Sequence, residues 1–193
     1  NAKVNGEPGD VYYFDDVKLT APVALPPLET FENGLSLGWQ PLDQNEPIHG
    51  VFTGPTPNPA SGGINDSPNV GCYAKGSSAF STLQAFSLNS FDLSVYPQFD
   101  LDVLSPASGG TVTMQLNSAT QGNKEAEATI KNAGQWETLS FDFSAFTAIT
   151  DFSEIRLIFN AGTAAPGQSW CIDNLRQSKT TVDPCDGVVP VTT

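Results

Sequence analysis

Hydrophobic and polar positions alternate with a period of two over most of residues 28–177. In QFDLDVL, Phe99, Leu101 and Val103 lie on one side and Asp100 and Asp102 on the other, and GTVTMQLNS, EAEATI, ETLSFDF and EIRLIF alternate in the same way. Each such strand buries one face and exposes the other, as strands do in stacked antiparallel sheets. Helical periodicity extends to no more than one short turn, in SAFTAITDFSE. The pattern predicts an all-β fold, an antiparallel β-sandwich of the jelly-roll type.

Residues 40–70 interrupt this alternation. They are rich in glycine, proline, asparagine and aspartate, the residues that favour turns. We expect a long looped region here, with at most one short strand near His49–Thr53. Loops of this length on a sandwich are usually either functional or disordered.

One strand pattern occurs twice, near the two ends of the chain. Residues 9–19 read GDVYYFDDVKL and residues 167–177 read GQSWCIDNLRQ, and the alignment pairs Asp15 with Asp173. A proline-containing segment, TAPVALPPL or SKTTVDPCDGVVPVTT, follows each copy. This order is typical of a tandem array, so we expect the chain to be a segment of a longer polypeptide.

The predicted organisation therefore has four parts. Residues 1–19 are the terminal strand of a preceding module, or a donor strand that completes a sheet in a neighbouring chain. Residues 20–27 are a linker, residues 28–177 the sandwich module, and residues 178–193 a linker to a next module.

The charge of the chain excludes two classes of partner. The formal net charge is −13, so nucleic acids and anionic membranes would both be repelled. The sequence holds no apolar run near the length that spans a bilayer, which predicts no membrane insertion. Cations and uncharged ligands remain compatible with this composition.

The three cysteines, Cys72, Cys171 and Cys185, have neither the CxxC spacing nor the histidine partners of a zinc site. The simplest interpretation is that Cys72 and Cys171 are buried free thiols and that Cys185 belongs to a linker. A Cys72–Cys171 bridge is the alternative. The odd number leaves at least one cysteine free or paired outside this segment.

Four motifs carry a resemblance to a known family. ETFENG is followed by Trp39, and then come NPASGGINDSPNVGCYAKG, GQWETLSFDFS and SWCIDNLR. In this order they resemble the tandem carbohydrate-binding-module-like β-jelly-roll domains of secreted bacterial glycan-degrading and surface proteins. The resemblance covers nearly all of residues 28–177. It implies a secreted, extracellular or cell-surface location and a non-catalytic module that binds a neutral polysaccharide and contains a structural calcium ion.

The calcium expectation comes from the resemblance. In such domains the ion lies between the first strand and the last, which points to Glu32, with Glu29 nearby, and to Asp173, with Asp15 as its equivalent in the preceding module. Calcium takes six to eight oxygen ligands, so carboxylates suit it. The alternative is that Asp173 and Asn174 cap a turn or face solvent.

Glycan modules of this kind usually bind sugars through exposed aromatic rings, with polar groups that fix the hydroxyls. The exposed face of the predicted sheets offers Asp100, Asp102, Gln115, Asn117 and Arg156, and Phe86 is a further ring near the rim. The competing interpretations are core packing for the rings and a solvated face without ligand for the polar set. The candidate ligand-binding residues are Trp39, Tyr73, Phe80, Asp102, Gln115 and Arg156.

Catalysis is not expected. A serine or cysteine nucleophile would need the single histidine, His49, as its base, and the sequence contains no nucleophile-elbow motif. Asp100-x-Asp102 lacks the glutamates that jelly-roll glycosidases arrange on one strand. Asn65-Asp66-Ser67 is a formal glycosylation sequon, but we interpret Asn65 and Ser67 as turn-capping residues.

A second function is compatible with the same fold. The repeated strand and the shortage of stacking aromatics suit a structural tandem repeat of a surface adhesin, sheath or extracellular filament. Its neighbouring copies would assemble by strand exchange.

Overall fold

The computed structural model describes residues 25–179 of the chain. Within them, two five-stranded antiparallel sheets and two short 3-10 helices, Pro47–His49 and Ser144–Phe146, are the regular elements. The all-β prediction is therefore confirmed. The strands are β1 Gly38–Pro41, β2 Val51–Pro57, β3 Asn69–Ala74, β4 Thr82–Phe86, β5 Gln98–Leu104, β6 Thr111–Ser118, β7 Gly122–Thr129, β8 Trp136–Asp142, β9 Phe152–Phe159 and β10 Ser169–Ser178.

The two sheets draw on strands that are distant in sequence. Sheet 1 has the order β1-β4-β9-β6-β7, and sheet 2 has the order β2-β3-β10-β5-β8. The chain thus crosses between the sheets repeatedly, for example from β4 to β5, which is how the strands of a sandwich are linked. Loop 30–37 leads into β1, and Leu28 already bonds to the last strand through Leu175 O.

The core lies between the sheets and is built from the apolar half of each alternation. Phe99, Leu101 and Val103 of β5 are fully buried, as are Ile155 and Leu157 of β9. Burying a side chain of this size contributes about 1.5–3 kcal/mol. The faces that the alternation predicted to be inward are therefore confirmed for these strands.

β2 is longer than the sequence predicted for the looped region 40–70. It spans Val51–Pro57 and contains Pro55 and Pro57. Proline is tolerated here because β2 is an edge strand, which among the described strands pairs only with β3. The register shifts between Thr53 and Thr56, and such a bulge accommodates the residues that cannot donate to the ladder.

Of the two interpretations of Cys72 and Cys171, the free thiols are wrong and the bridge between them is confirmed. Cys72 of β3 and Cys171 of β10 lie directly opposite each other and form a disulfide. Paired strands hold their side chains at bridging distance, here with a Cα–Cα separation of 4.0 Å. Cys185 lies outside the described residues.

Several predictions on domain organisation also concern residues beyond the described range. The strand of residues 9–19, Asp15, residues 20–24 of the first linker and nearly all of the second linker belong to this group. In the span from residue 25 to residue 179, no helix is both long and apolar enough to cross a membrane.

Candidate functional site

The polar residues expected on one sheet face lie on two opposite faces. Asp100 and Asp102 belong to β5 in sheet 2, whereas Gln115 and Asn117 belong to β6 and Arg156 to β9 in sheet 1. Their alternation partners are buried between the sheets, so each set points away from the core. The two outward faces are therefore separate candidates.

The outward face of sheet 2 satisfies its polar groups internally. Asp102 accepts hydrogen bonds from Thr138 Oγ1 at 2.6 Å and Asn174 Nδ2 at 3.0 Å. Asp100 accepts one from Ser140 Oγ at 2.6 Å. Arg176 lies 3.8 Å from both carboxylates. Groups paired in this way have little hydrogen-bonding capacity left for a ligand.

Residues 58–68 cover part of this same face. Asn65 Nδ2 donates to Asp173 Oδ2 at 2.9 Å, and Asn65 Oδ1 accepts from the Ser67 N–H at 2.9 Å. The turn-capping interpretation of Asn65 agrees with these bonds, and the side chain is 1% exposed. Trp136 Nε1 donates to Asn58 Oδ1 at 3.2 Å, which fastens the start of the segment.

Burial under this segment raises the pKa of the Asp173 carboxyl. Hydrogen bonds from Ser67, Asn65 and the Asn174 backbone oppose that shift, and the charge of Asp102 adds to it. Asp173 is thus a fully enclosed group, which removes it from the surface that a ligand would meet.

The outward face of sheet 1 carries a continuous polar row. One residue from each strand lies directly opposite the next across β1, β4, β9, β6 and β7. Directly opposite residues share a face, and neighbouring strands lie about 4.8 Å apart, so the row extends roughly 19 Å across the strands. The polar row consists of Gln40, Gln84, Arg156, Gln115 and Glu125.

Neighbouring side chains orient the members of the polar row. Arg156 Nε donates to Glu154 Oε1 at 2.6 Å, and Gln115 Nε2 donates to Glu125 Oε1 at 2.6 Å. Gln84 is only 4% exposed although it faces away from the core. Its Nε2 atom donates to Leu42 O at 3.3 Å, in the segment that follows β1.

Asn117 supplies hydrogen-bonding capacity beside the polar row. It follows Gln115 on the same side of β6, opposite Glu154 of β9. Its Nδ2 atom is buried and has no hydrogen-bond partner among the described residues. Leaving a buried donor unpaired is unfavourable, so an acceptor from a ligand would stabilise this position.

A groove of about 350 Å³ opens on the β6–β7 side of this face. Phe80, 59% exposed, forms one wall, and the floor includes Ile158 and Ala126. Apolar and polar groups thus meet in one depression, which suits a ligand with both characters. The lining residues are Phe80, Thr113, Gln115, Glu125, Ala126, Glu127, Ile158 and Ala161.

Three of the six expected ligand-binding residues come together on sheet 1. Phe80 and Gln115 line the groove, and Arg156 lies opposite Gln115 in the polar row. Asp102 lies on the other sheet, among the paired groups described above. The face also includes Gln84, which the sequence analysis did not single out.

Trp39 and Tyr73 lie in the core, contrary to the expected exposed positions. Trp39 is 6% exposed, and its ring centroid is 5.9 Å from that of Phe52. Tyr73 is fully buried, with its hydroxyl 2.5 Å from Ser81 Oγ. Burial raises the pKa of Tyr73 to about 12. A ring that stacks on a sugar needs an accessible face, which the packing denies to both residues.

The three carboxylates expected to bind calcium each have other partners. Glu32 accepts from the backbone and side-chain N–H groups of Asn69 at 3.0 and 3.3 Å, and Asp173 accepts from Asn65. Glu29 is 1% exposed. It accepts hydrogen bonds of 2.8–3.1 Å from the backbone N–H groups of Thr30, Phe31, Ser36 and Leu37 and from Trp39 Nε1.

The surroundings of Glu29 do not fit a calcium ion. The five N–H groups around Glu29 occupy the lone pairs that a cation would use. Among residues 25–179, no group of three or more histidine, cysteine, aspartate or glutamate side chains is arranged to hold a metal. The structure instead shows Glu29 as the carboxylate that organises residues 30–37.

Comparison with known proteins places the fold. No protein-family model and no curated protein matches the chain. Three similar solved structures are all carbohydrate-binding modules. A CBM28 module specific for non-crystalline cellulose is 14% identical with a TM-score of 0.55, over 80% of this chain and 94% of that chain.

The second structure is CBM27-1 of Caldicellulosiruptor saccharolyticus in complex with mannohexaose, 11% identical with a TM-score of 0.56, over 80% of this chain and 98% of that chain. The third is the family 11 module of the cellulosomal cellulase Lic26A-Cel5E of Clostridium thermocellum, 13% identical with a TM-score of 0.52, over 83% and 97%. Identities this low show a shared β-sandwich fold alone.

Proposed function

We propose that this chain is a non-catalytic module that binds a neutral polysaccharide on the outward face of sheet 1. The observation that carries the proposal is the polar row from Gln40 to Glu125, which crosses all five strands beside the exposed ring of Phe80. Sugar rings offer hydroxyls at their edges and apolar C–H faces. A row of amides next to an aromatic wall matches both features.

The polar groups of this face suit a ligand rich in hydroxyls. Arg156 and Gln115 keep side-chain N–H groups beyond those that donate to Glu154 and Glu125, and Nδ2 of Asn117 has no acceptor among the described residues. A hydroxyl both donates and accepts, so one sugar satisfies an amide donor and a carboxylate acceptor together. The net charge of −13 favours an uncharged chain over an anionic one.

An extracellular location fits the same proposal. The Cys72–Cys171 disulfide joins β3 to β10 inside sheet 2, and such bonds persist in oxidising compartments. The similar solved modules share the fold and are carbohydrate-binding modules, which supports a polysaccharide as the ligand.

Binding to a panel of soluble neutral glucans, mannans, xylans and galactans tests the proposal. Phe80 is 59% exposed, so a sugar can cover only that part of the ring. Phe80→Ala removes this contact and should weaken binding about fivefold, or about 1 kcal/mol. Gln115→Ala should act in the same direction because it removes a donor and releases Glu125.

Ile64→Ala is the matched control. Ile64 is 55% exposed, close to the 59% of Phe80, but belongs to the segment that covers sheet 2. It should leave binding unchanged. Retention on none of the polymers, or equal losses in Phe80→Ala and Ile64→Ala, would rule out sheet 1 as the binding face.

The edges of the described sandwich do not favour strand exchange as a function. Of the four edge strands, β1 has four residues and β2 contains Pro55 and Pro57. β7 carries Lys124, Glu125 and Glu127, and β8 carries Glu137 and Asp142. Short strands, prolines and charges are the devices that prevent edge-to-edge pairing. Polysaccharide binding therefore remains the proposal.

A further inference from the structure

Two carboxylates line the β7 side of the groove. Glu125 and Glu127 are exposed residues two positions apart on β7, so they share its outward face. Hydrogen bonds hold both toward the groove. Gln115 Nε2 donates to Glu125 Oε1 at 2.6 Å, and Thr113 Oγ1 donates to Glu127 Oε2 at 3.2 Å. Each carboxylate keeps further lone pairs for a ligand.

Nothing among the groove's lining residues balances these two charges. The lining contains neither lysine nor arginine. Arg156, in the polar row, is paired with Glu154 at 2.6 Å. Lys124 precedes Glu125 on β7 and therefore points to the opposite side, where its Nζ lies 5.8 Å from the centre of the Phe146 ring. The groove is thus locally negative whatever the charge elsewhere on the chain.

We propose that Glu125 and Glu127 determine specificity by excluding carboxylate-bearing, uronate-type chains while admitting uncharged ones. This inference rests on the proposed function of the sheet 1 face. A glycan hydroxyl can donate to either carboxylate, whereas a uronate carboxylate at the same position offers no proton and adds a like charge. Discrimination by an unfavourable contact with the wrong ligand is a common route to specificity.

The test compares polymers that share a backbone. Soluble glucan, mannan and galactan are each used before and after oxidation of the C6 hydroxymethyl group to a carboxylate. The measured quantity is the ratio of the Kd for the oxidised polymer to the Kd for its neutral parent. Glu125→Gln/Glu127→Gln retains an acceptor oxygen for Gln115 and for Thr113 while removing both charges.

The double variant should lower this ratio roughly five- to tenfold. This is the size expected when the repulsion of a uronate carboxylate by Glu125 and Glu127, at contact distance in water, is removed. Affinity for the neutral parent should fall as well, because both carboxylates accept from glycan hydroxyls, and the ratio cancels the loss that the two polymers share. Raising the salt concentration should lower the ratio for the unmodified chain in the same direction, because salt screens exposed charges.

Asp66→Asn/Asp142→Asn separates a local effect from one of total charge. Both aspartates are exposed, Asp66 in the segment that covers sheet 2 and Asp142 on β8, and the charge change is the same. This control should leave the ratio unaltered. An equal drop in the control, or an unaltered ratio in Glu125→Gln/Glu127→Gln, would overturn the inference. Failure of the unmodified chain to bind any neutral parent would instead refute the proposed function, and the inference with it.

Discussion

The carboxylate of Glu29 allows the sharpest test of what holds residues 30–37 in place. Oε1 accepts the N–H groups of Thr30 and Phe31, and Oε2 accepts those of Ser36 and Leu37 together with Trp39 Nε1. Glu29→Gln is nearly isosteric but replaces one oxygen by an amide group. Either orientation of that amide leaves at least two N–H donors facing another donor.

The expected loss follows from those donors. A buried polar group that loses its partner costs about 1–3 kcal/mol, more for a bond to a charged group. With two donors orphaned, Glu29→Gln should lower the free energy of unfolding by about 2–5 kcal/mol. Domains of this kind have about 5–15 kcal/mol in total, so the variant should melt at a clearly lower temperature.

Urea unfolding followed by tryptophan fluorescence, in calcium and in chelator, measures this loss. It should be the same in both solutions, and the unmodified chain should unfold identically in both. Glu32→Gln is the control. Glu32 is half-buried and, within residues 25–179, accepts hydrogen bonds from Asn69 alone, so this variant should lose less than about 1 kcal/mol. A Glu29→Gln loss below that of Glu32→Gln would refute the reasoning. So would a chelator-dependent loss in the unmodified chain, which would restore the calcium expectation.

Two further predictions concern sheet 2. Cys72→Ala/Cys171→Ala should lower the free energy of unfolding by about 2–5 kcal/mol, because the bridge joins residues 99 positions apart; a melting temperature unaffected by reductant would contradict this. Burial raises the pKa of Asp173 above 3.8, so the folded state binds this proton more tightly than the unfolded state. The resulting stability is present below the unfolded pKa and is lost as pH rises through the folded pKa. Asp173→Asn removes that loss, so its stability relative to the unmodified chain should improve from about pH 4 upward. A stability difference that stays constant with pH would exclude this role.

The alternation was enough to predict which side chains of most strands face inward. Apolar residues at every second position leave only one orientation that buries them, and Phe99, Leu101, Ile155 and Leu157 follow it. Only the start of β2 was predicted, because Pro55 and Pro57 argue against a strand unless it is known to lie at the edge of a sheet. That position depends on pairing with β3, which local sequence does not reveal.

The sequence predicted which polar residues of the candidate site face outward, but not which sheet each of them belongs to. Alternation says that Asp102 and Gln115 both face away from the core, but not that they belong to opposite sheets. The sheet is decided by which strands pair, and β6 pairs with β9 about forty residues further along the chain. Gln84 was missed because the five-residue strand TLQAF is too short for its alternation to be distinctive.

The positions of Tyr73 and Trp170 follow from the Cys72–Cys171 disulfide. Cys72 and Cys171 face outward from sheet 2 and pack under Trp136. Tyr73 follows Cys72 on β3 and therefore faces inward, which its full burial confirms. The bridge sets Cys72 directly opposite Cys171, and the alternation then places Tyr73 and Trp170 together on the other face of the sheet.

Glu29 shows a limit of a different kind. A carboxylate buried between the first and last strands needs compensation, and a calcium ion or a set of N–H groups supplies it equally well. Side-chain identity argues for the cation, because the residue types of 30–37 do not show that their backbone N–H groups will point at Glu29. They converge on Glu29 only because that segment folds back on itself, with Phe31 in the left-handed region at φ 59°. The sequence can therefore indicate that the carboxylate of Glu29 is buried. Whether a cation or backbone N–H groups balance its charge depends on the fold of residues 30–37.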